Sequence, residues 1–119
     1  MYFRFEYFSP LLYNLYLSEI IEAIDQIEEF VTDKTKEKFL NDARTISAIL
    51  WQLVMIGEAI GQLPTELKNR HNTVPWQAIK DFRNVVVHKY HEIDLDELWD
   101  IITTELEPLK KEVQKMRKE

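Results

Sequence analysis

Two side chains suited to acid–base and phosphate chemistry, Arg83 and His88, lie on either side of three valines in residues 82–91, which read FRNVVVHKYH. Histidine is the residue type best suited to give or take a proton at neutral pH, so His88 is a candidate acid or base. Arg83 keeps its charge and offers parallel donors to phosphate oxygens. Cleavage of RNA without a metal needs a base for the 2′-hydroxyl, an acid for the leaving 5′-oxygen and a cation for the charge on phosphorus. The two residue types match those needs.

The spacing predicts how these groups are presented on a helix. Asn84 lies four residues before His88 and shares its face. Tyr90 lies seven residues after Arg83, which also gives one face if the helix reaches that far. Arg83 and His88 are about 140° apart around the axis, so they should flank a groove. Because one subunit supplies a single well-placed histidine, a symmetric dimer would be needed to supply both the acid and the base.

A purely structural interpretation of the same residues stays open. Arg83 could pair with Asp81 or Glu58, and His88 could be a polar residue near a helix end. A metal site built from His88, His91 and the adjacent acidic residue is weakly supported, and we expect no metal. We also expect no cofactor, because the sequence has no glycine-rich phosphate loop.

Composition and charge limit the class of protein. The 119 residues fit one domain, and the absence of cysteine fits a reducing cytoplasm. The net charge is −6, yet residues 65–91 carry five basic and two acidic side chains, a local +3 that also holds all three histidines. This positive segment suits a local phosphate contact. No apolar run is long enough to predict a membrane span. The aromatic residues at the start of the chain suit either a packing surface against a partner chain or a disordered tail.

Apolar periodicity predicts an all-α, antiparallel bundle of four long helices plus one short helix. Gly57 and Gly61 lie inside the second long helix, where glycine costs about 1 kcal/mol relative to alanine, so we expect another helix to approach closely there. Pro108 should kink or split the last helix. The first helix is expected to begin at Ser9 or Asn14 and to end near Asp33, and the second to span 35–62. Residues 65–74 are expected to form a short helix followed by a polar loop. The last two helices are expected at 75–89 and from Asp94 or Asp96 to the C-terminal tail.

Three blocks of sequence together resemble the HepT-like branch of the HEPN superfamily over about residues 15–116. They are Arg83-Asn84-x3-His88-x-Tyr90, Pro75-Trp76-x2-Ile79 and Ile56-Gly57-Glu58-Ala59. The resemblance implies a single HEPN domain over residues 1–119, with residues 1–14 as an atypical aromatic extension. It also implies a homodimer, metal-independent endoribonuclease activity on RNA and a toxin role in the cytoplasm.

The same resemblance implies a role for each matching residue. Arg83 would stabilise the phosphate and His88 would act as acid or base. A nucleotidyltransferase antitoxin of the MNT class would be the partner, transferring AMP from ATP to Tyr90. The supporting or RNA-contacting residues would be Asn84, Lys89 and Glu58, the last as a partner of Arg83, with His91 helping to attract phosphate.

The alternative function is a degenerate HEPN domain that binds nucleotide or RNA, or docks a nucleotidyltransferase, without chemistry. The presence of both Arg83 and His88 favours the enzyme. A purely structural bundle would have to bury an arginine and an asparagine at a cost.

Overall fold

A computed structural model describes residues 10–118 of the chain, and within this range the fold is all-α. The helices are α1 Pro10–Val31, α2 Lys36–Leu40, α3 Ala43–Gly61, α4 Thr65–Arg70, α5 Trp76–His88, α6 Leu95–Asp100 and α7 Leu106–Arg117, with a 3-10 turn at Tyr90–Glu92 and a π-helical segment at Ile101–Glu105. Helix α6, the π segment and α7 form one continuous rod. The four long elements of the bundle are therefore α1, α3, α5 and this rod, joined by two short helices rather than the one expected.

The core lies between α1, α3 and α7, with α5 added on the outer side of α3. Its largest fully buried side chains come from α1, α2, α3 and the C-terminal rod: Leu17, Ile20, Ile24, Ile27, Phe39, Ile49, Ile56, Leu98, Val113 and Met116. Helix α3 is long and apolar enough by composition to cross a membrane. A central core helix has the same composition, and eight of the nineteen residues of α3 are buried against its neighbours.

The prediction of one helix over residues 35–62 is wrong, because the chain breaks at Asn41 and Asp42. Asp42 caps α3, accepting hydrogen bonds from the backbone N–H of Thr45 at 3.1 Å and from its hydroxyl at 2.7 Å. These bonds, with Lys34 at 3.2 Å, lower the pKa of Asp42 from 3.8 to about 2. A carboxylate that satisfies free N–H groups at a helix start favours a new helix over continuation of the old one.

The ends of the other helices follow the expectations closely. Helix α1 begins at Pro10, whereas Ser9, its expected cap, lies outside the described residues. Asp94 caps α6 through two backbone N–H groups. The expected break near Pro108 takes the form of the π segment at Ile101–Glu105, just before α7. Proline has no N–H to give to a helical ladder, so a change of helical register next to it costs little.

Candidate active site

Arg83 is seated on α3 by the absence of a side chain at Gly57. A Cβ atom built on Gly57 would lie 2.7 Å from both Cβ and Cγ of Arg83. Real Cβ atoms do not come so close, and the first atoms of a side chain cannot swing away as its far end can. The close approach expected at Gly57 is therefore confirmed. At Gly61 the expectation is wrong, because nothing lies within 4 Å of a Cβ there.

The guanidinium of Arg83 is braced by two neighbours. Its Nη2 forms an ion pair with Glu58, and its Nη1 donates a hydrogen bond to Oδ1 of Asn84 at 3.0 Å. The Arg83 side chain is 26% exposed. Asp81, the other ion-pair partner considered, instead accepts a hydrogen bond from Gln77.

This bracing leaves part of the donor fork available. A guanidinium carries five N–H donors, and the contacts with Glu58 and Asn84 engage one Nη atom each. Arg83 Nε is buried, so the donors left for an anion are the remaining N–H groups of the two Nη atoms. The Glu58 carboxylate orients the fork, but it also competes for it with any anion that arrives. The arrangement suits a phosphate, which offers several oxygens and can replace or share the carboxylate contact.

His88 is the last residue of α5 and is exposed. It lies five residues after Arg83, a rise of about 7.5 Å along the axis. Lys89 closes the helix through its N–H to Val85 O at 2.8 Å, with its own backbone outside the helical region. Both side chains are open to solvent, as a group that exchanges protons with a substrate must be.

Tyr90 does not share a helical face with Arg83. The helix ends at His88, and Tyr90 begins the 3-10 turn, so its direction is set by that turn. Its ring is 52% exposed and meets the His91 ring edge to face at 6.2 Å between centroids. The shared face was predicted only if the helix reached Tyr90, and this condition is not met because Lys89 leaves helical geometry.

The three histidines of the positive segment do not form one surface. His71 is buried, and its Nδ1 lies 2.6 Å from Glu112 Oε2 on α7. This contact lowers the pKa of the Glu112 carboxyl. The cationic surface near the candidate site therefore has His88 and His91 but not His71.

The sequence prediction missed exposed apolar side chains on α3 and α5, the two helices that position Arg83. Trp51 and Met55 lie one turn apart on α3 and are 60% and 40% exposed, and Val87 on α5 is 45% exposed. They could have been found, because Trp51 and Met55 fall outside the apolar stripe that defines the core face of α3. We call these three residues the apolar face. Large apolar side chains in open water are typical of a contact surface.

One cavity borders α5, and a second lies beyond the C-terminal end of this helix, beside Tyr90. The larger, about 580 Å³, lies between α5 and the C-terminal rod and is lined by Ala78, Ile79 and Phe82 among others. The smaller, about 370 Å³, lies beside Tyr90 and the start of α3. Within the described part of the chain no three histidine or carboxylate side chains converge as a metal site would require.

Comparison with known proteins assigns the chain to a family. The model of the ribonuclease HepT-like family matches residues 20–116. A "Probable ribonuclease HepT" from Thermococcus cleftensis is 36% identical over 103 residues, covering 87% of this chain and 94% of that protein. A "Gamma-glutamylcyclotransferase and putative RNase" from Methanocaldococcus jannaschii is 33% identical over 106 residues and 89% of this chain.

The chain spans about half of the second relative, 48%, but nearly all of the first. No solved structure matches. The match to the family model covers α3 and α5, and with them Gly57, Glu58, Arg83 and His88. The chain therefore belongs to the ribonuclease HepT-like family.

Proposed function

We propose that the protein is a toxin of a toxin–antitoxin pair, a metal-independent endoribonuclease that acts on cytoplasmic RNA. The observation that carries the proposal is a braced arginine and an exposed histidine on one helix, Arg83 and His88. The names of the relatives add support, since each of the two described above includes a ribonuclease.

The chemistry follows from the three needs of RNA cleavage. A neutral histidine takes the proton of the 2′-hydroxyl as its oxygen bonds to phosphorus. A protonated histidine gives a proton to the 5′-oxygen as the P–O5′ bond breaks. The arginine donors stabilise the charge that builds on the non-bridging oxygens. The reaction divides the RNA into one fragment with a 2′,3′-cyclic phosphate and one with a 5′-hydroxyl, and it consumes no water.

A homodimer would supply the second histidine. The apolar face is formed by α3 and α5, the helices that carry Glu58 and Arg83, and burying this face against a second copy would bring two copies of α5 together. Trp51→Glu places a charge in this face without disturbing the core, since Trp51 is mostly exposed. We expect it to convert dimer to monomer in sedimentation and to abolish cleavage. Leu15→Glu on α1, at a site 56% exposed, is the matched control and should do neither. A Trp51→Glu variant that stays dimeric would rule out this interface.

Neutralisation by a nucleotidyltransferase antitoxin is the regulatory part of the proposal. Tyr90 is exposed two residues beyond His88, so its hydroxyl is accessible to a modifying enzyme. An AMP group there would add bulk and negative charge beside Arg83 and His88 and exclude RNA. Co-expression with such an enzyme should add one or more AMP masses to wild type and none to Tyr90→Phe.

The decisive experiment is cleavage of cellular RNA by the purified protein, with chelator present and antitoxin absent. Wild type should leave 2′,3′-cyclic phosphate ends, and Arg83→Ala should lose about 10²–10³-fold in rate while keeping its fold. Tight binding of nucleotide or RNA with no turnover would instead favour the non-catalytic binding module.

A further inference from the structure

The smaller cavity lies where the substrate of the proposed reaction would continue past the catalytic groups. Helices α3 and α5 run antiparallel: Arg83 meets Gly57, whereas Tyr90, beyond the end of α5, shares the cavity with Leu50 and Ser47. Seven residues separate Gly57 from Leu50, a distance of about 10 Å along α3. The cavity is therefore one to two nucleotides from the phosphate that Arg83 would hold.

The walls of this cavity combine the features of a nucleobase site. Ile46 and Leu50 on α3 give a buried apolar floor, and the partly buried Ile93 lies opposite. The half-exposed Tyr90 ring at the mouth offers a face on which a base can stack. Flat apolar walls and an exposed aromatic ring are the usual means by which proteins hold single-stranded bases.

Polar groups at the edge can read the base. The Asn41 side-chain nitrogen is already used, since it donates to Glu37 O at 2.9 Å, but its amide oxygen stays available as an acceptor. The Ser47 hydroxyl is exposed at the edge and can donate or accept. One acceptor and one adaptable hydroxyl beside an apolar slot can tell one base from another.

We infer that the cavity bordered by Tyr90, Ile46, Leu50 and Ser47 is a nucleobase subsite that seats a base of the RNA next to the scissile phosphate. This inference rests on the proposed ribonuclease function and adds to it a source of base preference. The larger cavity lacks these features, since carboxylates of Glu97, Asp100 and Glu105 line it and would repel a nucleic acid.

The test fills the cavity and measures cleavage. Ala43 is exposed and lines the cavity at the first turn of α3, so Ala43→Trp blocks the cavity without entering the core. Ala78→Trp, an exposed alanine in the larger cavity, is the matched control. The substrate is a pool of short single-stranded RNAs of random sequence, and sequencing of the cut ends gives the base preference.

We expect Ala43→Trp to lower kcat/KM about tenfold, mainly through KM, because one stacked base is lost. The base preference next to the cut should flatten, and Ser47→Ala should shift the preference with a smaller loss of rate. Ala78→Trp should match wild type. If wild type cuts but Ala43→Trp cuts with unchanged rate and preference, the subsite is overturned and the nuclease stands. If wild type cuts no RNA, the proposed function itself fails.

The adenine of an AMP attached to Tyr90 could occupy the cavity in the same way as a base of the RNA. A second arm of the experiment therefore distinguishes these two sources of the base. The cleavage arm uses protein made without nucleotidyltransferase, in which any base preference comes from RNA. In the other arm, AMP is attached to Tyr90 by co-expression, and methyl NMR signals of Ile46 and Ile93 are compared with and without Ala43→Trp. A response in the cleavage arm supports the subsite for a base of the RNA. A response in the AMP arm alone assigns the cavity to the adenine of the modification and overturns the RNA subsite, as does no response in both arms.

Discussion

The two ends of the positive segment, residues 65–91, use the same residue types in opposite ways. At the first end, His71 is buried against Glu112, and the Trp76 indole donates to the carbonyls of Lys68 and His71 at 3.0 and 3.1 Å. At the second end, His88 and Tyr90 are exposed beside the apolar face.

The difference shows how to separate polar groups that hold the fold from those available for chemistry. At the first end the His71 ring and the Trp76 indole each meet a fixed partner on another turn or helix and are buried or partly buried, so they are closed to a substrate. At the second end Arg83 is held by Glu58 and Asn84 but is still partly exposed, and His88 and Tyr90 are exposed. The first end fastens α4 to α7 and the start of α5, and the second end presents the far part of α5.

The largest effect expected from this comparison is that substitutions of the two histidines have opposite consequences, one for the cleavage rate and the other for stability. His88→Gln should lower the cleavage rate about 10²–10⁴-fold, because a general acid or base is lost, and leave the unfolding temperature unchanged. His71→Gln should leave cleavage by the folded protein nearly intact and cost about 1–3 kcal/mol of stability, because it disrupts the buried contact with Glu112. Cleavage rates on RNA measure the effect on catalysis, and thermal unfolding measures the effect on stability. A folded His71→Gln protein with no activity would end the distinction.

The two glycines of α3 give the next effect. Gly57→Ala puts a methyl group against the base of the Arg83 side chain, so the arginine must shift. We expect a loss of stability of about 1–3 kcal/mol and a fall in cleavage of about tenfold or more from misplaced donors. Gly61→Ala meets open space and should raise stability by up to about 1 kcal/mol. If the two variants behave alike, close contact with Arg83 is not the reason for Gly57.

Much of this fold could be predicted from sequence, since apolar spacing alone gives α1, α3, α5 and the C-terminal rod. The break at Asn41–Asp42 could not, because apolar residues continue in helical phase across it and only the cap hydrogen bonds to Thr45 decide it. The π segment could not be predicted either, since Pro108 indicates that the helix is irregular but not where the irregularity lies.

The candidate site could be predicted in its residues but not in its arrangement. Arg83 and Glu58 meet as the sequence suggested, whereas the hydrogen bond from Arg83 to Asn84 was not expected. The place of Tyr90 depended on whether Lys89 stayed helical, and a single backbone turn of this kind leaves no periodic signal. The burial of His71 depended on Glu112, forty-one residues away, and such a distant pairing cannot be read from local pattern.

The smallest expected effect concerns Asp42. Like the polar groups at the first end of residues 65–91, its carboxylate has fixed hydrogen-bond partners within the fold. Its pKa is lowered in the folded protein from 3.8 to about 2, so its contribution to stability is full above the ordinary value and is lost as pH falls from there toward 2. Asp42→Asn keeps a good cap but cannot titrate. The unfolding free energy of this variant, from denaturant titrations across that range, should therefore fall less steeply with acid than that of wild type. Cleavage at neutral pH should not change, since Asp42 stabilises the start of α3 and touches nothing at the Arg83 site. Equal acid slopes in the two proteins would show that the cap hydrogen bonds do not hold the charge on Asp42.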